Sequence, residues 1–183
     1  MPRMQAMPAI SAVPARPART RFAQSGLTLL ELVICVALLA VLGLLALPDL
    51  RQQMDRQRLR NAAQALAGDI TEARFLAAQR GQTLYVLGHS GPPWCWAVAA
   101  QAGCDCSQPG NCSLLHRVDA RDHGKVSLLE TFELRLDPTG QAQAAASTTL
   151  ESARGERLRL DVSMQGRPHL CAPKGHWPQM PAC

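Results

Sequence analysis

Residues 27–47 read LTLLELVICVALLAVLGLLAL, and only Thr28, Glu31 and Gly43 among these 21 residues are not apolar. At about 1.5 Å per helical residue the run spans about 32 Å, the hydrocarbon thickness of a bilayer. It decides how the rest is read. The chain has 183 residues, of which 47% are apolar and 4% aromatic. With the run set aside, roughly 42% of the remainder is apolar, an ordinary soluble composition. A polytopic membrane protein, a disordered chain and a collagen-like chain are thereby excluded. The length suits one domain with an appendage.

Charge is uneven along the chain. Residues 1–26 hold Arg3, Arg16, Arg19 and Arg21 and no acid. The rest carries 15 basic and 14 acidic side chains, so the overall +5 comes mostly from this leader. A protein that coats nucleic acid along its whole surface is a poor fit. Arginines ahead of an apolar helix keep the N-terminus cytoplasmic and send the remainder across. Cysteine usage agrees: Cys35 lies in the run, and Cys95, Cys104, Cys106, Cys112, Cys171 and Cys183 all follow it. Six cysteines beyond a membrane segment suggest an oxidising compartment. A signal peptide normally has a shorter apolar region of about 7–15 residues. Neither a signal peptide nor a plain anchor explains Glu31, whose carboxylate costs about 2.5–3.5 kcal/mol at membrane depth.

Ser25-Gly26-Leu27-Thr28-Leu29-Leu30-Glu31-Leu32 resembles the prepilin motif of type IV pilins and type II secretion pseudopilins. The resemblance implies that a membrane aspartyl protease, the prepilin peptidase, cuts between Gly26 and Leu27. The same enzyme then methylates Leu27, which stands where most relatives have Phe. Gly26 lets the backbone enter a protease cleft in extended form. Glu31 becomes the fifth residue after cleavage, where a first-turn carboxylate is favoured by the helix dipole. In a filament it can pair with the terminal ammonium of a neighbouring subunit and set axial register. Pro48 either ends the membrane helix or marks a point where a fibre helix bends.

Residues 49–80 contain few helix breakers. Leu59, Ala62, Ala63, Leu66, Ile70, Ala73, Leu76 and Ala77 recur at three- and four-residue intervals, an amphipathic helix with a narrow apolar stripe. Gly81 is the expected stop. Arg51, Arg56, Arg58 and Arg60 form a solvated face rather than a lipid-headgroup site. Strands are expected at 83–87, 94–99, 114–118, 126–129, 132–136, 158–164 and 167–171, with turns at 88–93 and 137–140. In 158–164, Leu158, Leu160, Val162 and Met164 point inward. The Ala-rich stretch 141–149 is ambiguous. The fold class is α+β, a helix packed on a mainly antiparallel sheet. The domains are a leader at 1–26, a transmembrane or filament-core helix at 27–48, an amphipathic helix at 49–81 and a β-rich head at 82–183.

The helix, the Trp-bearing strand, Phe132 to Asp137-Pro138-Thr139-Gly140, and Gly166-Arg167 before Cys171 resemble the GspH/FimT group of minor pseudopilins. This implies a single-pass protein of the bacterial inner membrane with a periplasmic head. It implies a place at or near a filament tip, priming assembly, with other pilins or pseudopilins as partners. Some pilus members bind DNA during uptake. In this chain Arg157, Arg159, Arg167 and Lys174, with Arg154, stand against Glu156 and Asp161, and guanidinium or ammonium groups can meet phosphates. The family's Gly-Arg hairpin is matched by Gly166-Arg167, although Pro168 follows where another strand residue is usual. A solvated face with ordinary ion pairs is the plainer reading.

Six cysteines allow 15 connectivities. Cys171–Cys183 closing a tail loop is expected, with Cys95, Cys104, Cys106 and Cys112 paired among themselves. Four thiolates would also suffice for zinc, but Cys104-x-Cys106 is tighter than usual ligand spacing. His89, His116, His123, His169 and His176 are scattered, and Ser90 lacks a nucleophile elbow. With no phosphate loop or metal-ligand helix, the sequence gives no reason to expect an enzyme, a cofactor, a metal or a small-molecule substrate.

Overall fold

The structure is a computed structural model that describes residues 28–108, 110, 112–173, 177 and 180–183, with only the backbone described at 44–49. Helix α1 is Leu29–Arg80. The chain divides after Gly43 into two compact units. In the first, Thr28 precedes α1, and its carbonyl accepts from the Leu32 amide at 3.1 Å.

The second unit, Leu44–Cys183, contains the head. Here α1 buries Leu59, Ala62, Ala63, Leu66, Ile70, Ala73 and Ala77, the stripe that the three- and four-residue spacing predicts. Leu76 flanks the stripe and is half-buried. The helix stops at Gly81, whose φ of 62° is the left-handed conformation that ends helices. The Gln82 amide then donates back to the Ala77 carbonyl at 3.2 Å.

Among the described residues eight strands follow: β1 (Leu84–His89), β2 (Cys95–Ala99), β3 (Leu114–Asp119), β4 (Val126–Leu128), β5 (Phe132–Leu136), β6 (Ala146–Ser152), β7 (Arg157–Val162) and β8 (Pro168–Cys171). They form two four-stranded sheets, β3-β2-β1-β5 and β4-β6-β7-β8, rather than one. Every neighbouring pair is antiparallel. Register sets Val86 opposite Val98 and Leu134 in the first sheet. It sets Leu150 opposite Leu128 and Leu158 in the second. These side chains share one core with the α1 stripe, so the fold is α+β with a helix packed on antiparallel sheets.

Three local expectations change. Strand β1 runs through Gly88 to His89, so the turn begins only at Ser90. Met164 is exposed because β7 ends at Val162 and Met164 lies in the turn to β8. The ambiguous Ala-rich stretch leads into β6, an interior strand of the second sheet.

The outer face of the first sheet has its own small core. Leu87, Cys95, Ala97 and Ala99 are buried with Cys104 and Cys106 of the following loop. Every residue of β2 is therefore covered on both faces. Disulfides Cys95–Cys106 and Cys104–Cys112 hold this loop down, and Cys171–Cys183 ties the tail. Loops this short contribute about 3 kcal/mol each in the chain-entropy account.

Gly140 and Gly166 are required by close approach. A Cβ on Gly140, where φ is 79°, would lie 2.8 Å from the Arg74 carbonyl oxygen of α1. A Cβ on Gly166, where φ is 71°, would lie 2.6 Å from the Gly140 oxygen. Gly155 has the same φ of 78° but its Cβ would meet only Glu151 Oε1, at 3.5 Å. Gly155→Ala should cost about 1–2 kcal/mol of backbone strain alone. Gly140→Ala adds a clash with backbone and should cost about 2–4 kcal/mol. Urea midpoints at unchanged slope measure both, and equal losses would refute the contact argument.

Candidate assembly and binding surfaces

Of the residues expected to serve processing and assembly, Glu31 lies in the first turn of α1. Gly26 and Leu27 fall outside the described residues. Thr28 is the helix cap: its Oγ1 accepts from the Glu31 amide at 3.2 Å. Thr28-x-x-Glu31 is half of a capping box, a signal legible in the sequence that the apolar run overshadows. Glu31 is exposed in the first turn, where the helix dipole favours its charge. Around it the large apolar side chains from Leu29 to Leu42 are exposed, from 50% at Ile34 to 81% at Leu29. Cys35 is an exposed free thiol among them. Among the described residues no helix is long and apolar enough to cross a membrane, and the side chains of 44–49, which complete the run, lie outside that description.

The basic residues come together only in part. Arg157 and Arg159 stand on the exposed face of β7. The β6–β7 register sets Glu151 opposite Arg157, and Arg157 Nε donates to Glu151 Oε1 at 3.2 Å. Arg159 Nε donates to Asp161 Oδ1 at 2.8 Å on the same strand. Arg154 Nε reaches Asp55 Oδ2 of α1 at 3.1 Å. Two arginines and two carboxylates thus share the β6–β7 face, with no net charge between them. Arg167 is exposed beside Gly166, its amide donating to Ser163 Oγ at 3.4 Å. Lys174 and His176 lie outside the described residues. Pro168 does not prevent pairing: it opens edge strand β8 opposite Val162, where no ladder amide is needed.

The Trp-bearing strand is fastened to the helix. Trp96 Nε1 donates to Asp69 Oδ2 of α1 at 2.6 Å, satisfying a buried indole. His116 Nε2 lies 3.5 Å from the same oxygen. Trp94 stacks on Trp96 with centroids 5.3 Å apart, and its Nε1 donates to the Val126 carbonyl at 2.6 Å.

The Asp137-Pro138-Thr139-Gly140 turn is bound by its own aspartate. Asp137 Oδ1 accepts from the Thr139 hydroxyl at 2.7 Å, the Thr139 amide at 2.8 Å and the Gln141 amide at 2.9 Å. The Thr139 hydroxyl first, then the amides, hold the Asp137 carboxyl below the ordinary carboxylate range. Arg74 Nε donates to the Gly140 carbonyl at 3.1 Å, so helix, turn and the Gly166 hairpin meet at one point. The two sequence motifs there are packing devices. His89 and His116 each face one carboxylate, Asp105 and Asp69. Among the described residues no cluster of three or more His, Cys, Asp or Glu is placed to hold a metal.

The model of the family described as Type II transport protein GspH matches residues 62–166, more than half of the chain. The chain belongs to this family. The match runs from within the buried stripe of α1 to the Gly166 contact. This pseudopilin head is also similar to the type IV minor pilin FimU of Pseudomonas aeruginosa strain PAO1, seen in two crystal forms. In space group P21 the TM-score is 0.50 at 17% identity, over 68% of this chain and 96% of that one. In P65 the TM-score is 0.50 at 17% identity, over 67% and 98%. That likeness shows a shared fold. No curated protein matches the chain significantly. The family assignment makes this a GspH/FimT-type minor pseudopilin.

The lowered Asp137 carboxyl gives a pH dependence with a fixed sign. Its contribution is complete above the unfolded carboxylate pKa and is lost as pH falls through the lower folded value. Asp137→Ala should be less stable than wild type at neutral pH by an amount that stays constant down to the ordinary carboxylate range. Below that range the difference should shrink. Urea midpoints taken across acid pH check this, and a difference that widens on acidification would contradict the bonding described.

Proposed function

We propose that this pseudopilin is a minor subunit at or near the tip of a type IV pilus or type II secretion pseudopilus, where it primes assembly. Residues 1–26 are the leader, which the prepilin peptidase removes between Gly26 and Leu27 before methylating Leu27. Residues 27–48 then anchor the subunit in the inner membrane, and the head from 82 to 183 lies in the periplasm.

One observation carries this reading: a single carboxylate, Glu31, on a helical surface whose large side chains are apolar and exposed. Each such side chain favours removal from water by about 1.5–3 kcal/mol. So extensive an apolar surface demands a cover. Lipid covers it before assembly and sibling helices cover it afterwards. Exchange of lipid for protein leaves Glu31 needing a partner in a low-dielectric site, and the terminal ammonium of a neighbour supplies one. Contact with other pilins follows from the family; the pairing of Glu31 is the added proposal.

A DNA receptor in uptake is the other reading of the head. The carboxylates that occupy Arg157 and Arg159 favour the filament-subunit reading over it. The test is full-length chain expressed with its sibling subunits. Intact mass should place the mature N-terminus at a methylated Leu27. Glu31→Ala should be cut at the same bond yet fall at least about tenfold in the sheared filament fraction, the cost of leaving one buried charge unpaired. A retained leader, or wild-type filament levels of the variant, would overturn the proposal.

A further inference from the structure

A hollow of about 370 Å³ opens between α1 and the loop from β3 to β4, lined by Arg58, Asn61, Asp122, His123, Gly124 and Lys125. Among the described residues its polar groups are mostly unspent donors. Among the described residues Arg58 reaches only Asp55 Oδ1, at 3.5 Å, while Asp55 Oδ2 is taken by Arg154 at 3.1 Å. Asn61 Oδ1 accepts from Gln57 at 3.2 Å, which leaves the amide Nδ2 protons free to donate. The one carboxylate in the lining, Asp122, turns its Oδ2 to the Asp119 amide at 2.9 Å and keeps its charge, which Arg58 and Lys125 together outweigh.

The loop spends conformational energy to set this lining. Lys125, with φ of 69°, is the only non-glycine residue with positive φ among the described residues. Gly124 sits beside it without needing that conformation. The backbone on either side is clamped: the Lys125 carbonyl accepts from Ala153 at 3.0 Å, and the Val126 amide donates to His123 at 3.2 Å. The His123 ring is stacked on buried Trp96 with centroids 5.6 Å apart. Non-glycine residues held left-handed tend to lie where a site needs the side chain.

We propose that this hollow binds an oxyanion, with Arg58 and Lys125 supplying charge and Asn61 and His123 supplying hydrogen bonds. A carboxylate and a phosphate present the same chemistry to it: two or more oxygens able to accept from converging N–H donors. The site is separate from Arg157, Arg159 and Arg167, and it does not depend on the filament reading.

The test uses the full chain in non-ionic detergent at constant ionic strength, titrated with inorganic phosphate in one arm and glutarate in the other. Backbone and Asn61 side-chain amide shifts are followed by NMR. Saturable shifts at Asn61, Gly124 and Lys125 are expected. Saturation by phosphate alone assigns the site to phosphate sources, and saturation by glutarate as well admits a protein carboxylate. Lys125→Gly removes the charge while adopting the left-handed backbone freely, so it should fold at least as stably as wild type. It should bind at least about fivefold more weakly, and Arg58→Gln should do likewise. Shifts that stay linear in both arms, or affinity unchanged in both variants, would overturn the site.

Discussion

Seven side chains on one stripe of α1, from Leu59 to Ala77, are the surface on which both sheets depend. Four of the seven are alanines, which keeps the stripe low. Leu59, Leu66 and Ile70 then interleave with Val86, Leu134, Leu150 and Leu160 in one core. Neither sheet could keep its inward face dry without that stripe. Polar clamps fix the helix lengthwise. Arg56 Nε meets Glu156 Oε1 at 2.7 Å in the β6–β7 hairpin. Asp69 holds the Trp96 indole at 2.6 Å, and Arg74 holds the Gly140 carbonyl at 3.1 Å. Each clamp joins α1 to a different part of the head, so a shift of the helix along its axis would break all three.

Three cross-links add to what this core contributes. The first sheet has side chains on both faces. One face meets α1, and the other is closed by the loop that Cys95–Cys106 and Cys104–Cys112 pin down. Ala97 and Ala99 on that outer face are small enough for the disulfides to lie against the strand. The same helix that organises the head carries Glu31 in its first turn. One element therefore bears both the proposed assembly contact and the core of the fold.

What could be read from the sequence was what repeats locally. The α1 stripe, the alternation of Leu158, Leu160 and Val162, and the Asp137-Pro138-Thr139-Gly140 turn each carry their signal within a few residues. Strand β6 carries none, because its inward positions include Ala146 and Thr148. Thr148 is buried with its hydroxyl donating to the Glu130 carbonyl at 3.2 Å, a contact no hydropathy pattern reveals. The division into two sheets is likewise non-local. Charge behaves the same way: Arg157 reads as part of a basic patch until register brings Glu151 beside it from another strand. The left-handed Lys125 is invisible because that conformation is usually announced by Gly or Asn. The Thr28-x-x-Glu31 cap, by contrast, was present in the sequence, masked by the stronger signal of the apolar run.

The dependence of both sheets on one helical stripe is tested most directly by native-state hydrogen exchange on the full chain in detergent. The amides of Ile70, Val86, Leu134, Leu150 and Leu160 should open with a common free energy and a common denaturant slope, as one cooperative unit. If Leu150 and Leu160 opened at a distinctly lower free energy while Ile70 and Val86 stayed protected, the second sheet would be an independent layer, and a single core built on one stripe would be contradicted.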